Sequence, residues 1–262
     1  MVDFPDPQAV EEQLIEQLPL AVLFSHGCSP RAHQFHQQLA PTFAAAGLRL
    51  LRDPFKVGDD VQVAMRRLQI HGVIFHVTPK ALTSNPVATE LKTAQRIGAP
   101  ILCVPDQAPV PEALRDRIFR AIPESGCVPP GFTEELAAAT RQRVRLHWVL
   151  QWLMDTGRAV EEREGGVNWL LRQPPQVLAE FIGPISRLHR LAQEDPTVSS
   201  RLAAVLERTG LRGEARSHLQ SWWHAVEHPL SRITIEDILS SWGFQGHYRS
   251  KRNQLSGKEQ VP

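Results

Sequence analysis

Glu90 is the residue whose type and position most strongly indicate chemistry. It follows a stretch, Val73 to Ser84, that predicts a buried strand and then a loop, and it lies near the start of the helix predicted next. Open α/β sheets bind ligands outside the carboxyl ends of their strands, so a carboxylate there is well placed to attack or stabilise a sugar carbon. A glutamate in the first turn of a helix is also favoured by the helix dipole. The residues alone leave both interpretations open.

Histidines occur at two spacings that could bind a metal ion. The run from His224 to His228 has the H-x-x-E-H spacing of one zinc-peptidase class. Pro229 follows directly and no acidic ligand is evident downstream, so we expect no metal site. His33 and His36 lie one turn apart on a polar face of a predicted helix, where an ordinary surface role is the simpler expectation.

The composition is that of a globular protein with one large domain or two small ones. The chain has 262 residues, of which 42% are apolar and 22% charged, and its formal net charge is +1. That charge provides no field to recruit nucleic acid or a membrane surface, and no apolar run approaches the roughly 20 residues of a transmembrane helix. No basic segment followed by an apolar run opens the chain. Its three cysteines lack metal-ligand spacing, so we expect reduced thiols and a soluble, cytoplasmic protein.

Short apolar segments alternate with helical patterns in the first half of the chain. The predicted strands are residues 19–25, 48–51, 72–77 and 100–104. The predicted helices cover residues 30–46, a segment that begins at Asp59-Asp60, residues 86–97 and residues 111–121. Apolar strands separated by helices predict a parallel sheet covered on both faces, which is a doubly wound α/β fold. Neither G-x-G-x-x-G nor a Walker lysine loop is present.

A change of composition near residue 130 predicts a second unit. All six tryptophans lie beyond it, whereas eight of the ten phenylalanines lie at or before Phe132. A long helical segment is predicted from Thr133 to Glu164, ended by Gly165-Gly166, and further helical patterns follow. The predicted organisation is an N-terminal segment (1–17), an α/β domain (18–130), a linking helix (131–164), a small helical bundle (165–248) and a disordered tail (249–262).

Several short segments of the first half follow an order and spacing that one known family shares. They are Leu23-Phe-Ser-His26, Arg52-Asp-Pro-Phe-Lys-Val-Gly-Asp59, Thr78-Pro-Lys-Ala-Leu-Thr-Ser84, Glu90-Leu91 and Gly98-Ala-Pro-Ile-Leu102. In that order they resemble the first box, the second box with its BB loop, the S-P-x-F/Y-x-x-S run, the Glu-Leu pair and the following strand of a Toll/interleukin-1 receptor (TIR) domain. The resemblance covers about residues 18–125. It implies a flavodoxin-like doubly wound parallel sheet, here followed by a small all-α domain.

The resemblance also implies an activity, the cleavage of NAD⁺ at its nicotinamide–ribose bond. NAD⁺ would be the substrate, with no further cofactor and no metal, and the products would be nicotinamide and ADP-ribose or a cyclised isomer. Nicotinamide leaves from a cationic state and the transition state resembles an oxocarbenium ion, so one carboxylate can stabilise or trap C1′. Glu90 matches the family's catalytic glutamate. The residues expected to contact the substrate are Phe24, Ser25, His26, Asp53, Lys56 and Ser84.

A TIR-like domain followed by a helical domain resembles the arrangement of prokaryotic-type immune or signalling effectors. The resemblance implies activation by self-association through the TIR domain, in which the BB loop of one copy completes or opens the pocket of the next. It also implies that the helical domain senses, docks or oligomerises, through an unknown protein or ligand.

Two alternatives remain, because the chain departs from the family pattern near Glu90. Pro86 and Val87 stand where family members often carry Trp and Cys, and Thr78 stands in place of a serine. The missing aromatic wall favours a non-catalytic TIR scaffold that signals by TIR–TIR contact. A nucleoside-processing transferase of similar fold with a glutamate nucleophile is the third hypothesis, which the BB-loop-like segment opposes.

Overall fold

The structure is a computed structural model that describes residues 12, 19–56, 59–123, 127–155 and 157–244. Two predicted regions lie outside these residues, namely the N-terminal segment apart from residue 12 and the disordered tail. Residues 57 and 58 of the BB-loop-like segment also lie outside them. The described residues divide into two compact units, residues 12–149 and residues 150–244.

A parallel sheet forms the centre of the first unit. Its four strands are β1 (Leu20–Ser25), β2 (Leu48–Arg52), β3 (Ile70–Val77) and β4 (Ile101–Pro105), in the order β2-β1-β3-β4. All three neighbouring pairs are parallel, and every residue of β1 is buried. The doubly wound α/β fold predicted from the apolar runs is therefore confirmed. The order reverses between β1 and β3, and in such sheets the crevice at the reversal is where ligands bind.

Helices cover both faces of this sheet, and their capping residues explain where they start. Helix α1 (Pro30–Ala45) follows Ser29, α2 (Val61–Arg67) follows Asp60, and α4 (Asn85–Ile97) follows Ser84; each capping side chain accepts a backbone N–H of the first turn. The turn α3 (Pro79–Leu82) lies between β3 and α4. Buried residues of α1 recur every four positions, at Phe35, Leu39 and Phe43, as the sequence predicted.

The segment after β4 differs from the prediction. A helix was expected over 111–121, but only a 3₁₀ segment, Glu112–Arg117, forms. The chain then runs beside β4: Ile118 bridges Cys103 in parallel, and the N–H of Phe119 donates to the carbonyl of Cys103 at 3.0 Å. The open edge of β4 supplies hydrogen-bond partners that a longer helix would leave unused, and this explains the early end of the helical segment.

The predicted linking helix is two helices. Helix α5 is Phe132–Leu153 and helix α6 is Val160–Leu171, so Gly165 and Gly166 lie inside a helix instead of ending one. A Cβ at Gly166 would lie 2.6 Å from Cζ3 of Trp152 and 2.8 Å from Cδ2 of Leu153. The glycine therefore allows α6 to pack closely against the last residues of α5. This tertiary contact explains a glycine that the sequence alone had suggested as the end of a helix.

The second unit is helical throughout the residues that the structure describes. After α6 come α7 (Pro175–Ala179), α8 (Ile182–Ser186), α9 (His189–Glu194), α10 (Pro196–Arg208), α11 (Arg212–Ala225) and α12 (Pro229–Ser241). Asp195 caps α10, accepting from the N–H groups of Thr197 and Val198. In neither unit does a described helix combine the length and apolarity needed to cross a membrane.

Candidate functional site

Glu90 and Ser25 meet at the carboxyl end of β1. The hydroxyl of Ser25 donates a hydrogen bond of 2.6 Å to Oε2 of Glu90, although 65 positions separate the two residues. Side chains alternate along a strand, so Ser25 faces the same side of the sheet as Leu23, whose core also contains Val87 of α4. Glu90 reaches this edge from the second turn of α4, because the helix starts at Asn85. The alternative of a first-turn glutamate is therefore wrong.

The surroundings of Glu90 alter its acidity. Burial raises the pKa of Glu90 because its charged form loses hydration. The hydrogen bond from Ser25 opposes that rise by stabilising the carboxylate, and the negative charge of Asp53 adds to it. A cation arriving next to Glu90 would offset the lost hydration, so the residue is suited to a positively charged ligand group.

Asp53 and His26 form a second pair at the same edge of the sheet. His26 follows β1 directly, and its Nε2 lies 3.4 Å from Oδ1 of Asp53 without forming a hydrogen bond. Its Nδ1 lies 3.1 Å from the carbonyl oxygen of Gly27. Nε of Arg52 lies 3.2 Å from Oδ2 of Asp53. Asp53 has a φ of 49°, in the left-handed region that few residues other than glycine adopt.

The other predicted contact residues have different surroundings. Phe24 is 1% exposed and belongs to the core, where its ring stacks on that of His26 at a centroid distance of 5.1 Å. Ser84 caps α4, accepting the N–H of Val87 at 3.5 Å. Lys56 is exposed, and its backbone N–H donates to Asp59 at 2.8 Å. The structure thus brings Ser25 together with Glu90 and His26 together with Asp53.

Sequence reasoning missed the histidines that lie near Arg52, the residue before Asp53. His33 and His36 on α1 were expected to have an ordinary surface role, yet Nη1 of Arg52 contacts Nδ1 of His33. Burial lowers the pKa of His36, and the positive charge of Arg52 lowers it further. The ring of His36 lies 5.4 Å from that of Phe24. The signal available in the sequence was the spacing of His33 and His36 by one helical turn. Their position near Arg52 depends on the packing of α1 beside β2.

A buried ion network at the ends of β3 and β4 was also missed. Asp106 is 1% exposed and accepts from Nε and Nη2 of Arg31 at 2.5 Å each and from Nε2 of His76 at 2.8 Å. A carboxylate only accepts, so Nε2 of His76 carries the proton. Burial lowers the pKa of His76, and the hydrogen bond to Asp106 raises that of Arg31. An ionisable residue inside an apolar strand was the signal, because it requires a buried partner.

The H-x-x-E-H run has a structural role at one of its ends. His228 caps α12, and its Nδ1 accepts the N–H of Leu230 at 3.3 Å. The ring of His224 packs edge-on against Trp223 at a centroid distance of 5.0 Å. Over the described ranges, no three His, Cys, Asp or Glu residues are grouped so that they could hold a metal ion.

No family model, curated protein or solved structure matches this chain. The resemblance to TIR domains therefore rests on the order and spacing of the sequence segments alone. The activity that it implies stays a prediction.

Proposed function

We propose that this protein cleaves the nicotinamide–ribose bond of NAD⁺, with Glu90 as the catalytic residue. The observation that carries the proposal is the 2.6 Å hydrogen bond from Ser25 to Glu90. It holds a largely buried carboxylate at the carboxyl end of β1, where the strand order of the sheet reverses and where α/β folds of this kind bind their ligands.

The chemistry asks little beyond one oriented carboxylate. Nicotinamide in NAD⁺ already carries a positive charge, so it leaves with the bonding electrons and needs no proton. The ribosyl group becomes an oxocarbenium-like cation, and a carboxylate in a water-poor site stabilises that charge more strongly than water does. Ser25 engages Oε2, and we assign the other oxygen, Oε1, to face C1′ of the ribose.

The cationic substrate also agrees with the raised pKa of Glu90. Burial disfavours the ionised carboxylate in the free protein. A bound nicotinamide–ribosyl cation favours the ionised form again, so binding and ionisation support each other. The attraction between the ionised carboxylate and the ribose becomes stronger as the ribose gains positive charge, which is the condition for transition-state stabilisation.

As an immune or signalling effector in the cytoplasm, the protein would be activated by self-association of its α/β unit. The helical unit would bind the trigger, a protein or a small molecule.

One observation favours the second candidate, a non-catalytic scaffold that signals by contact between α/β units. Pro86 is exposed in the first turn of α4, so it gives the Glu90 site no aromatic ring on which nicotinamide could stack. A scaffold would associate with itself and bind its partner while leaving NAD⁺ intact.

Nicotinamide release by the full-length protein separates the two candidates. Wild type, Glu90→Gln and the control Glu112→Gln would be compared free in solution and clustered on beads. Glu112 is exposed and pairs with Arg115 one turn away. We expect clustered wild type and control to release nicotinamide, and Glu90→Gln to be slower by about 10²-fold or more. Equally slow release by clustered wild type and Glu90→Gln, or none by either, would contradict the enzymatic function, whereas equally fast release would contradict the role of Glu90.

A further inference from the structure

We propose that Asp53 activates the water that attacks the ribose, that His26 positions Asp53, and that the main product is therefore linear ADP-ribose. This inference rests on the proposed function of Glu90. It assigns the water-activating step to a second carboxylate, which directly follows the neighbouring strand β2.

The strand register sets Asp53 beside the Ser25–Glu90 pair. Phe24 of β1 pairs with Arg52 of β2, and the residues that follow these two are Ser25 and Asp53. Ser25 ends β1 and Asp53 directly follows the last residue of β2, so both lie at the carboxyl edge of the sheet, where neighbouring strands are spaced by about 4.8 Å. The charge of Asp53 is felt at Glu90, since it contributes to the raised pKa of that residue.

The two carboxylates have opposite exposure to water. Glu90 is largely enclosed, whereas 59% of the Asp53 side chain is exposed. An enclosed carboxylate suits the stabilisation of a developing cation, and a hydrated one suits the deprotonation of water. Glycoside-cleaving enzymes that use water directly divide the work between two carboxyl groups in a comparable way.

Two side chains flank the carboxylate of Asp53. Nε2 of His26 lies 3.4 Å from Oδ1 of Asp53, and Nε of Arg52 lies 3.2 Å from Oδ2. The His26 side chain is only 5% exposed and its ring stacks on that of Phe24, so this packing limits its rotation. Nε2 of His26 has no hydrogen-bond partner in the described part of the chain, and Oδ1 of Asp53 lies in front of it at 3.4 Å.

The step balances without a further reactant. The bond from C1′ to the nicotinamide nitrogen breaks, and its electron pair leaves with nicotinamide. The water oxygen bonds to C1′, one water proton passes to the Asp53 carboxylate, and that proton is then released to solvent. An internal attack by the adenine ring, which would give a cyclised isomer, needs no such base, so Asp53 favours hydrolysis over cyclisation.

Azide tests this assignment, because the anion attacks a ribosyl cation without losing a proton. Asp53→Asn would be compared with wild type and with Asp59→Asn, a control in the same loop. Asparagine tolerates the left-handed backbone at position 53, so the fold should be kept. We expect Asp53→Asn to form linear ADP-ribose about 10²-fold more slowly and to give a larger share of cyclised product, while azide restores nicotinamide release with an azido-ribosyl product. Asp59→Asn should behave as wild type.

His26→Gln gives the readout for positioning. Its hydrolysis should fall less than that of Asp53→Asn, and azide should restore it, whereas a merely structural defect would slow hydrolysis and azidolysis equally. Undiminished hydrolysis by Asp53→Asn, or a loss that azide does not restore, would overturn the role of Asp53 while leaving Glu90 in place. Absence of nicotinamide release from clustered wild type, with or without azide, would instead refute the proposed function and this inference with it.

Discussion

His71 and His147 form an enclosed pair that should make the α/β unit sensitive to acid. Their Nδ1 atoms lie 3.4 Å apart, and Nε2 of His147 lies 3.4 Å from the carbonyl oxygen of Ile97. His147 is 3% exposed and His71 is partly buried. Burial lowers the pKa of His71 from 6.5 to about 4, and it lowers that of His147 from 6.5 to about 3, with a smaller effect from the charge of His71. Both rings are therefore neutral in the folded protein at pH 7.

The direction of the pH effect follows from these values. Below pH 6.5 the unfolded chain protonates both rings, whereas the folded chain does not until about pH 4 for His71 and pH 3 for His147. Stability is thus complete above pH 6.5 and is lost as the pH falls toward 4. A tenfold difference in proton affinity corresponds to about 1.4 kcal/mol, so each ring accounts for a loss of about 3 kcal/mol by pH 4. That is a large part of the 5–15 kcal/mol that typically stabilises a domain.

His147→Gln tests this reasoning. Urea unfolding would be followed at pH 7 and pH 4 by pulsed hydrogen exchange in peptides from residues 70–77, so that only the α/β unit is measured. The variant should lose about 3 kcal/mol less than wild type between the two pH values, even if it starts from a lower stability at pH 7. His33→Gln, at an exposed position of α1, should keep the wild-type pH dependence. The same loss in His147→Gln as in wild type would refute the assignment.

Three further changes probe the catalytic site and the packing of each unit. Ser25→Ala should move the acidic limb of the kcat/KM profile for nicotinamide release to higher pH, because the lost hydrogen bond opposes the rise in the pKa of Glu90 that burial causes; an unmoved limb would contradict this. Gly166→Ala should destabilise the helical unit by about 1–3 kcal/mol through the clash with α5, whereas Gly213→Ala, with nothing within 4 Å of its new Cβ, should be neutral or slightly stabilising; thermal unfolding would compare them. Asp106→Asn should lower the free energy of unfolding in urea by about 2–3 kcal/mol, because a neutral side chain at this buried site weakens two charge-assisted hydrogen bonds to one guanidinium. A decrease of less than about 0.5 kcal/mol would contradict this prediction.

Local signals explain the parts of the fold that were predicted. Continuous apolar runs predicted the strands because both faces of a parallel sheet are covered. Asp60 indicated a helix start because its side-chain oxygen satisfies free N–H groups of the first turn. These signals act within a few residues of chain, so they are visible without knowledge of the fold.

The errors occurred where distant residues decide the local structure. The helix expected over 111–121 was shortened because the edge of β4 offers backbone partners to the chain after Arg117. Gly165 and Gly166 were read as a helix end, although close packing against the end of α5 requires a residue without a side chain at Gly166. Neither the strand edge nor the neighbouring helix can be recognised from the residues next to those positions.

The candidate site divides in the same way between sequence and tertiary structure. The sequence by itself determined that a carboxylate follows a buried strand and a loop and lies near the start of a helix, since strand and helix are local patterns. Only the tertiary structure decided that Glu90 meets Ser25 and that Asp53, after β2, lies beside His26, after β1. Those contacts join separate strands and helices, and their geometry depends on the strand order and register of the whole sheet. A sequence specifies that register only through the packing of all its elements together.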